Sequence, residues 1–198
     1  MKRVVVFSLC LLVAAACAST GTADPAKTPQ DHRVSALRYL PLAVGNSWTY
    51  TVDYLGQTGE MTIRIEREEN GWFIDNRGTA LTADRHGIRD RDRYLLTFPL
   101  QEKRAWVALT GPTRNETRTI VAIDDPVETP AGNFEGAVVV ETTVNPQKGI
   151  FLKSLHYFVP RVGIVKIETF VEDTAAGTKK RQTMTLLKSR EIKNDPKN

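Results

Sequence analysis

The stretch Trp48-Thr49-Tyr50-Thr51-Val52-Asp53-Tyr54 sets its largest side chains on alternate positions, and Glu60-Met61-Thr62-Ile63-Arg64-Ile65-Glu66 repeats the pattern. A period of two belongs to an extended strand, whose successive side chains point to opposite faces. Leu55-Gly56-Gln57-Thr58-Gly59 between the two runs reads as a hairpin loop. Glu69-Asn70-Gly71 supplies a turn before Trp72-Phe73-Ile74-Asp75, and His86-Gly87, Thr110-Gly111-Pro112 and Ala175-Ala176-Gly177 punctuate the later part of the chain. Further strands are expected over 94–98, 105–109, 117–123, 137–144, 150–159, 164–172 and 179–187. No segment carries the pattern of a three-turn amphipathic helix, and 37–44 would make one short turn at most. The expected fold is all-β, with little or no helix beyond a leader. Ten or so strands in one antiparallel sheet tend to curl, so a curved half-barrel or barrel is expected rather than a flat sheet.

The N-terminus reads as an export signal. Lys2 and Arg3 precede an uncharged run from Val4 to Ala16 that ends in three alanines. The apolar run is short of the roughly 20 residues that span a bilayer. Val13-Ala14-Ala15-Ala16-Cys17 resembles a lipobox, with Ala14 where leucine is commonest. The resemblance implies that Cys17 receives a diacylglycerol and becomes the first residue of the mature chain. An ordinary cut after Ala16 or Ala18 fits the small residues too. Cysteine usage bears on the choice. The chain has two cysteines; Cys10 leaves with the leader, and an unmodified Cys17 would be a lone reactive thiol. Ala18, rather than aspartate, after the cysteine favours the outer membrane under the enterobacterial sorting rule. The expected address is therefore the cell envelope, as an outer-membrane lipoprotein facing the periplasm or the cell surface.

Four segments emerge from these signals. Residues 1–16 are the signal peptide, and 17–37 a lipidated tether rich in Ala, Thr, Pro and Asp. Residues 38–192 are one β-rich domain, and 193–198 a frayed tail. A coil of about 20 residues reaches roughly 25 Å, enough to lift a domain off the headgroups. The formal charge of +4 includes Lys2 and Arg3, so the mature chain is near +2. Such a mixed, near-neutral surface does not suggest nucleic-acid binding.

Three motifs occur in order: Leu40-Pro41-Leu42-Ala43-Val44-Gly45-Asn46-Ser47-Trp48-Thr49-Tyr50, then Thr129-Pro130-Ala131-Gly132-Asn133-Phe134, then Tyr157-Phe158-Val159-Pro160-Arg161-Val162-Gly163-Ile164-Val165-Lys166. Together they resemble an uncharacterised, β-rich family of bacterial exported proteins and lipoproteins. The resemblance implies an exported β domain akin to the curved sheets of lipid-carrying lipoproteins, and no activity. On residue chemistry, Thr129-Pro130-Ala131-Gly132 suits a hairpin corner. Gly45-Asn46 and Val162-Gly163 look like backbone devices. Trp48, Tyr50, Trp72 and Phe158 are large apolar side chains that either fill a core or line a ligand cavity.

Signs of catalysis are absent. His32, His86 and His156 have no metal-ligand spacing, no cysteine ligand exists in the domain, and neither a nucleophile elbow nor a phosphate loop occurs. Carboxylates are plentiful, but nothing singles out a pair. No metal, cofactor or enzymatic activity is expected. The charge run Asp84-Arg85-His86-Gly87-Ile88-Arg89-Asp90-Arg91-Asp92-Arg93 reads as a solvated hairpin or edge strand, or else a docking surface. Two functions are expected to compete. One is a membrane-anchored domain that binds an apolar ligand, through Trp48, Tyr50, Trp72 and Phe158, or an envelope partner. The other is an assembly lipoprotein that docks into a larger complex with no ligand of its own.

Overall fold

A computed structural model describes residues 32–110 and 115–193. Over them the alternating runs become strands β1 (Ser47–Tyr54), β2 (Gln57–Glu69), β3 (Trp72–Asp75), β4 (Ala80–Asp84), β5 (Gly87–Arg89), β6 (Tyr94–Thr97), β7 (Ala105–Thr110), β8 (Asn115–Thr129), β9 (Gly132–Gln147), β10 (Ile150–Val159), β11 (Gly163–Asp173) and β12 (Thr178–Glu191). The fold is all-β, as expected, with one short helix, α1 (Arg33–Tyr39), ahead of the sheet. The strands pair antiparallel in the order β6-β5-β4-β3-β2-β1-β12-β11-β10-β9-β8-β7. The first and last strands therefore meet in the middle, and two arms meander outward.

That order forces curvature. Laid flat, β6 and β7 would lie about 50 Å apart at ~4.8 Å per strand. They are joined by the segment between Thr97 and Ala105, which can reach only ~28 Å when fully extended. The sheet must bend its ends together, and it does, nearly closing into a barrel. The two terminal strands do not share a backbone ladder. Side chains cross the seam instead. Trp106 Nε1 donates to the Tyr94 carbonyl at 3.1 Å, Arg118 Nη1 to the Leu95 carbonyl at 3.3 Å, and Arg104 Nε to Thr97 Oγ1 at 3.2 Å. Arg93 pairs with Glu116 across the same gap.

The three motifs meet at one end of the sheet. Trp48 Nε1 donates to the Val162 carbonyl at 2.6 Å, and Tyr50 Oη to the Ile164 carbonyl at 2.9 Å. Gly163, at φ +103°, lets the chain pass the Trp48 indole: a Cβ there would lie 3.1 Å from Trp48 Nε1. The fully buried Asn46 donates to the Pro41 carbonyl and accepts from the Lys193 amide, so it ties the start of the sheet to its end. Thr129 and Gly132 flank a two-residue corner whose Ala131 amide donates to the Leu187 carbonyl. Leu40, Leu42, Trp48, Tyr50 and Val162 of these motifs form the apolar end of the core with Phe158, Val138, Val165 and Leu187. A buried Trp or Tyr combines a large apolar area with a polar atom that needs a partner, and both find one here.

Helix α1 begins at Arg33, inside the stretch that composition assigns to the tether. Its amphipathy is too short to register as a period. What holds it is tertiary contact with β4, β5 and β11. Ala36 is fully buried, and the rings of His32 and Tyr39 lie 5.4 and 6.0 Å from that of Phe98.

Candidate functional site

The residues singled out in the sequence fall in three places. Cys17 lies outside the described residues. Trp48, Tyr50 and Phe158 are buried in the apolar end of the core, with the indole nitrogen and the phenol oxygen bonded as above. Trp72, on β3, is half-buried beneath the guanidinium groups of Arg89 and Arg91, which lie 5.5 and 5.7 Å from its ring centre. The charge run folds as the β4–β5 hairpin and the turn after it. Asp84 Oδ1 accepts from the His86 and Gly87 amides, and Asp90 Oδ1 from those of Asp92 and Arg93. Its last arginine, Arg93, turns inward to a buried partner rather than staying in solvent.

Above the apolar layer, the inner face becomes polar. Register explains how. Directly opposite residues of antiparallel strands share a face. Pairing across β8, β9 and β10 sets three rows on it: Ile120–Val140–His156, then Arg118–Thr142–Ser154, then Glu116–Val144–Leu152. Together with Arg93 from the seam, the upper rows and His156 line a cavity of about 200 Å³. The Arg118 and Glu116 side chains are 5% and 1% exposed, and Arg118 Nε donates to Glu116 Oε1 at 2.9 Å. Glu116 Oε2 accepts from Arg93, whose Nε also reaches Asp90 Oδ2 at 3.3 Å. Ser154 Oγ is bonded to Thr169 Oγ1 at 3.0 Å.

Two lining atoms have no partner. Thr142 Oγ1 and His156 Nδ1 are both inaccessible to solvent and make no hydrogen bond. An unpaired buried polar atom typically costs about 1–3 kcal/mol, and such atoms in a native fold call for a bound partner or a functional explanation. Burial is the main force on the His156 imidazole. The nearby positive charges of Arg118 and Arg93 act in the same direction, a backbone hydrogen bond with Ser154 opposes them, and its pKa is pushed down from 6.5 to about 3. The ring is neutral at physiological pH. Burial also pulls Arg118 below its ordinary value, against the opposing pull of Glu116; a guanidinium stays charged regardless.

Elsewhere, Val52, Tyr54 and Met61 line a shallow, more apolar groove of about 390 Å³ along the β1–β2 hairpin. Among the described residues, no group of three or more His, Cys, Asp or Glu side chains is placed to hold a metal ion. No described helix is long and apolar enough to cross a membrane.

No family model and no curated protein matches the chain. Similar solved structures include a protein from Bacteroides fragilis named as exported, with a YmcC-like fold. It is 15% identical, with 76% of this chain and 97% of that chain covered and a TM-score of 0.45. Another is a protein from Parabacteroides distasonis named as a lipoprotein. It is 13% identical, with 77% of this chain and 98% of that chain covered and a TM-score of 0.46.

Proposed function

We propose that this chain is an exported lipoprotein, anchored through an acylated Cys17, whose β domain binds a small polar ligand in the cavity under the sheet seam. The observation that carries the reading is the pair of partnerless atoms, Thr142 Oγ1 and His156 Nδ1, lining one cavity. A ligand offering both an acceptor and a donor would satisfy them. The apolar-ligand idea from the sequence shifts accordingly, because Trp48, Tyr50 and Phe158 are engaged in packing, Trp72 lies outside this cavity, and polar side chains outnumber Val144 and Leu152 in its lining.

Binding suits the site better than catalysis. An imidazole with a pKa of about 3 is a poor general base near neutral pH. Ser154 Oγ is bonded to another hydroxyl rather than to a base. The leader, the lone mature cysteine and Ala18 support an outer-membrane anchor, with two or three acyl chains each contributing about 0.8 kcal/mol per buried CH₂.

Native mass spectrometry of the full chain, gently extracted from membranes, tests the reading. It should report the acyl mass on Cys17 and a non-covalent adduct. A Cys17→Ser chain should lose the acyl mass and keep the adduct. An unmodified wild-type Cys17 would overturn the anchor, and a wild-type chain free of any adduct would overturn the binding role.

A further inference from the structure

We infer that the group recognised in this cavity is an oxyanion of carboxylate or phosphate size, held by Arg118 and Arg93 and oriented by Thr142, Ser154 and His156. The inference rests on the binding role proposed above and names the chemistry of that site.

The donor balance argues for it first. The lining offers two guanidinium groups and the unpartnered Thr142 hydroxyl, whereas its one carboxylate, Glu116, already accepts from both arginines. A ligand entering this space meets an excess of donors, so it must bring acceptors. Electrostatics agree. Both arginines act on His156 as positive charges that disfavour its protonated form, although Glu116 and Asp90 stand beside them. At the imidazole, then, the positive members of this ion-pair cluster outweigh the negative ones. Guanidinium geometry adds selectivity, since its planar fork matches carboxylate and phosphate oxygens in pairs.

Construction and size argue next. Thr142 is 7% exposed, lines the cavity, and has a buried hydroxyl without a partner. Arg118 is 4% exposed and is fixed from behind by Glu116 and by the Leu95 carbonyl. The donors are thus held in place before a ligand arrives, and little order has to be gained on binding. About 200 Å³ accommodates a headgroup or a small acid, but not an acyl chain as well. The same oxyanion chemistry could belong to a free acid or to a lipid headgroup.

The test is an NMR titration of the full chain, with the His156 imidazole and Thr142 amide resonances as the readout. Inorganic phosphate and acetate probe the free anion. Short-chain dihexanoyl phosphatidic acid probes the headgroup, with dihexanoyl phosphatidylcholine as the control. Saturable shifts with phosphate, acetate or phosphatidic acid are expected. They should weaken about tenfold in Thr142→Val, which keeps the shape of the side chain and removes one hydrogen bond. Arg118→Met should abolish them. Phosphatidic acid binding more tightly than phosphate would assign the headgroup, and equal affinity the free acid. No saturable shift with any of the three, or affinity unchanged in Thr142→Val, would overturn the inference. A neutral adduct in the native mass spectrum would keep the binding role and overturn the oxyanion.

Discussion

Replacing Glu116 with glutamine should unbalance the most deeply buried charges in the domain. Glutamine keeps the size of the side chain and one acceptor oxygen, so the change isolates the charge. In the native chain, Glu116 is 1% exposed and faces Arg118, 5% exposed, at 2.9 Å, with Arg93 on its other oxygen. At about 4 Å between charge centres and an effective dielectric of ~20, each pair is worth about 4 kcal/mol of attraction. Removing one partner of a buried pair leaves an uncompensated ion and costs about 3–5 kcal/mol. Arg93 retains Asp90 and adds little to this. For a chain of this size the cost corresponds to a fall in Tm of roughly 10 °C. Far-UV circular dichroism with heating or urea reads it directly. Because Glu116 and Arg118 also bridge the open seam, amides of β6 and β7 should exchange with solvent faster than those of β1 and β12 in the same variant. The double variant E116Q/R118M should recover about half of the loss, since it removes both buried charges. A Tm within about 2 °C of the wild type, or a double variant whose cost is the sum of the singles, would refute the claim that this pair holds the seam as a buried unit.

Acid should act through His156. Its folded pKa of about 3 lies below the unfolded value of about 6.5. Between these values only the unfolded chain takes up the proton, so stability falls as pH drops from about 6.5 towards 3. His156→Gln removes this one contribution; at pH 4.5 the gap between the variant and the wild type should have moved by ~2–3 kcal/mol in the variant's favour relative to pH 7, measured by urea unfolding, and a gap that does not move with pH would contradict it. Trp48→Phe leaves the Val162 carbonyl without its 2.6 Å donor and thins the core, with an expected loss of about 2–4 kcal/mol in the same assay. Gly87→Ala would set a Cβ 2.0 Å from the Leu96 carbonyl oxygen at a backbone φ of +153°. It should destabilise by more than about 2 kcal/mol and loosen the β5–β6 pairing seen by hydrogen exchange.

Period-two patterning made most of the sheet legible, because one residue in two is apolar wherever one face is buried. Met61, Ile63 and Ile65 announce β2 by themselves. The strand that escaped, β4, is short, and the charge at its end reflects a local job: Asp84 closes the β4–β5 turn and accepts from Tyr94. Helix α1 escaped because Ala36 is buried by contact with distant strands, not by any pattern in its own seven residues. The motifs proved to be packing devices, as Gly45-Asn46 and Val162-Gly163 suggest; their mutual contact has no signature in the linear chain. The cavity was hidden for the same reason. Arg118, Thr142 and His156 stand on three strands, and only register sets them together. A signal was present in each strand nonetheless. Arg118 shares the inward parity of Ile120, Thr142 that of Val140, and His156 that of Phe158. Polar residues at core parity in neighbouring strands are the linear trace of a polar interior.

The binding role of the cavity is tested most directly by native mass spectrometry of the acylated full chain beside its Thr142→Val and His156→Phe variants. The wild-type chain should carry a small polar adduct that both variants lose or hold more weakly while retaining the acyl mass on Cys17. A wild-type chain that flies without an adduct, or an adduct held equally by all three chains, would contradict it.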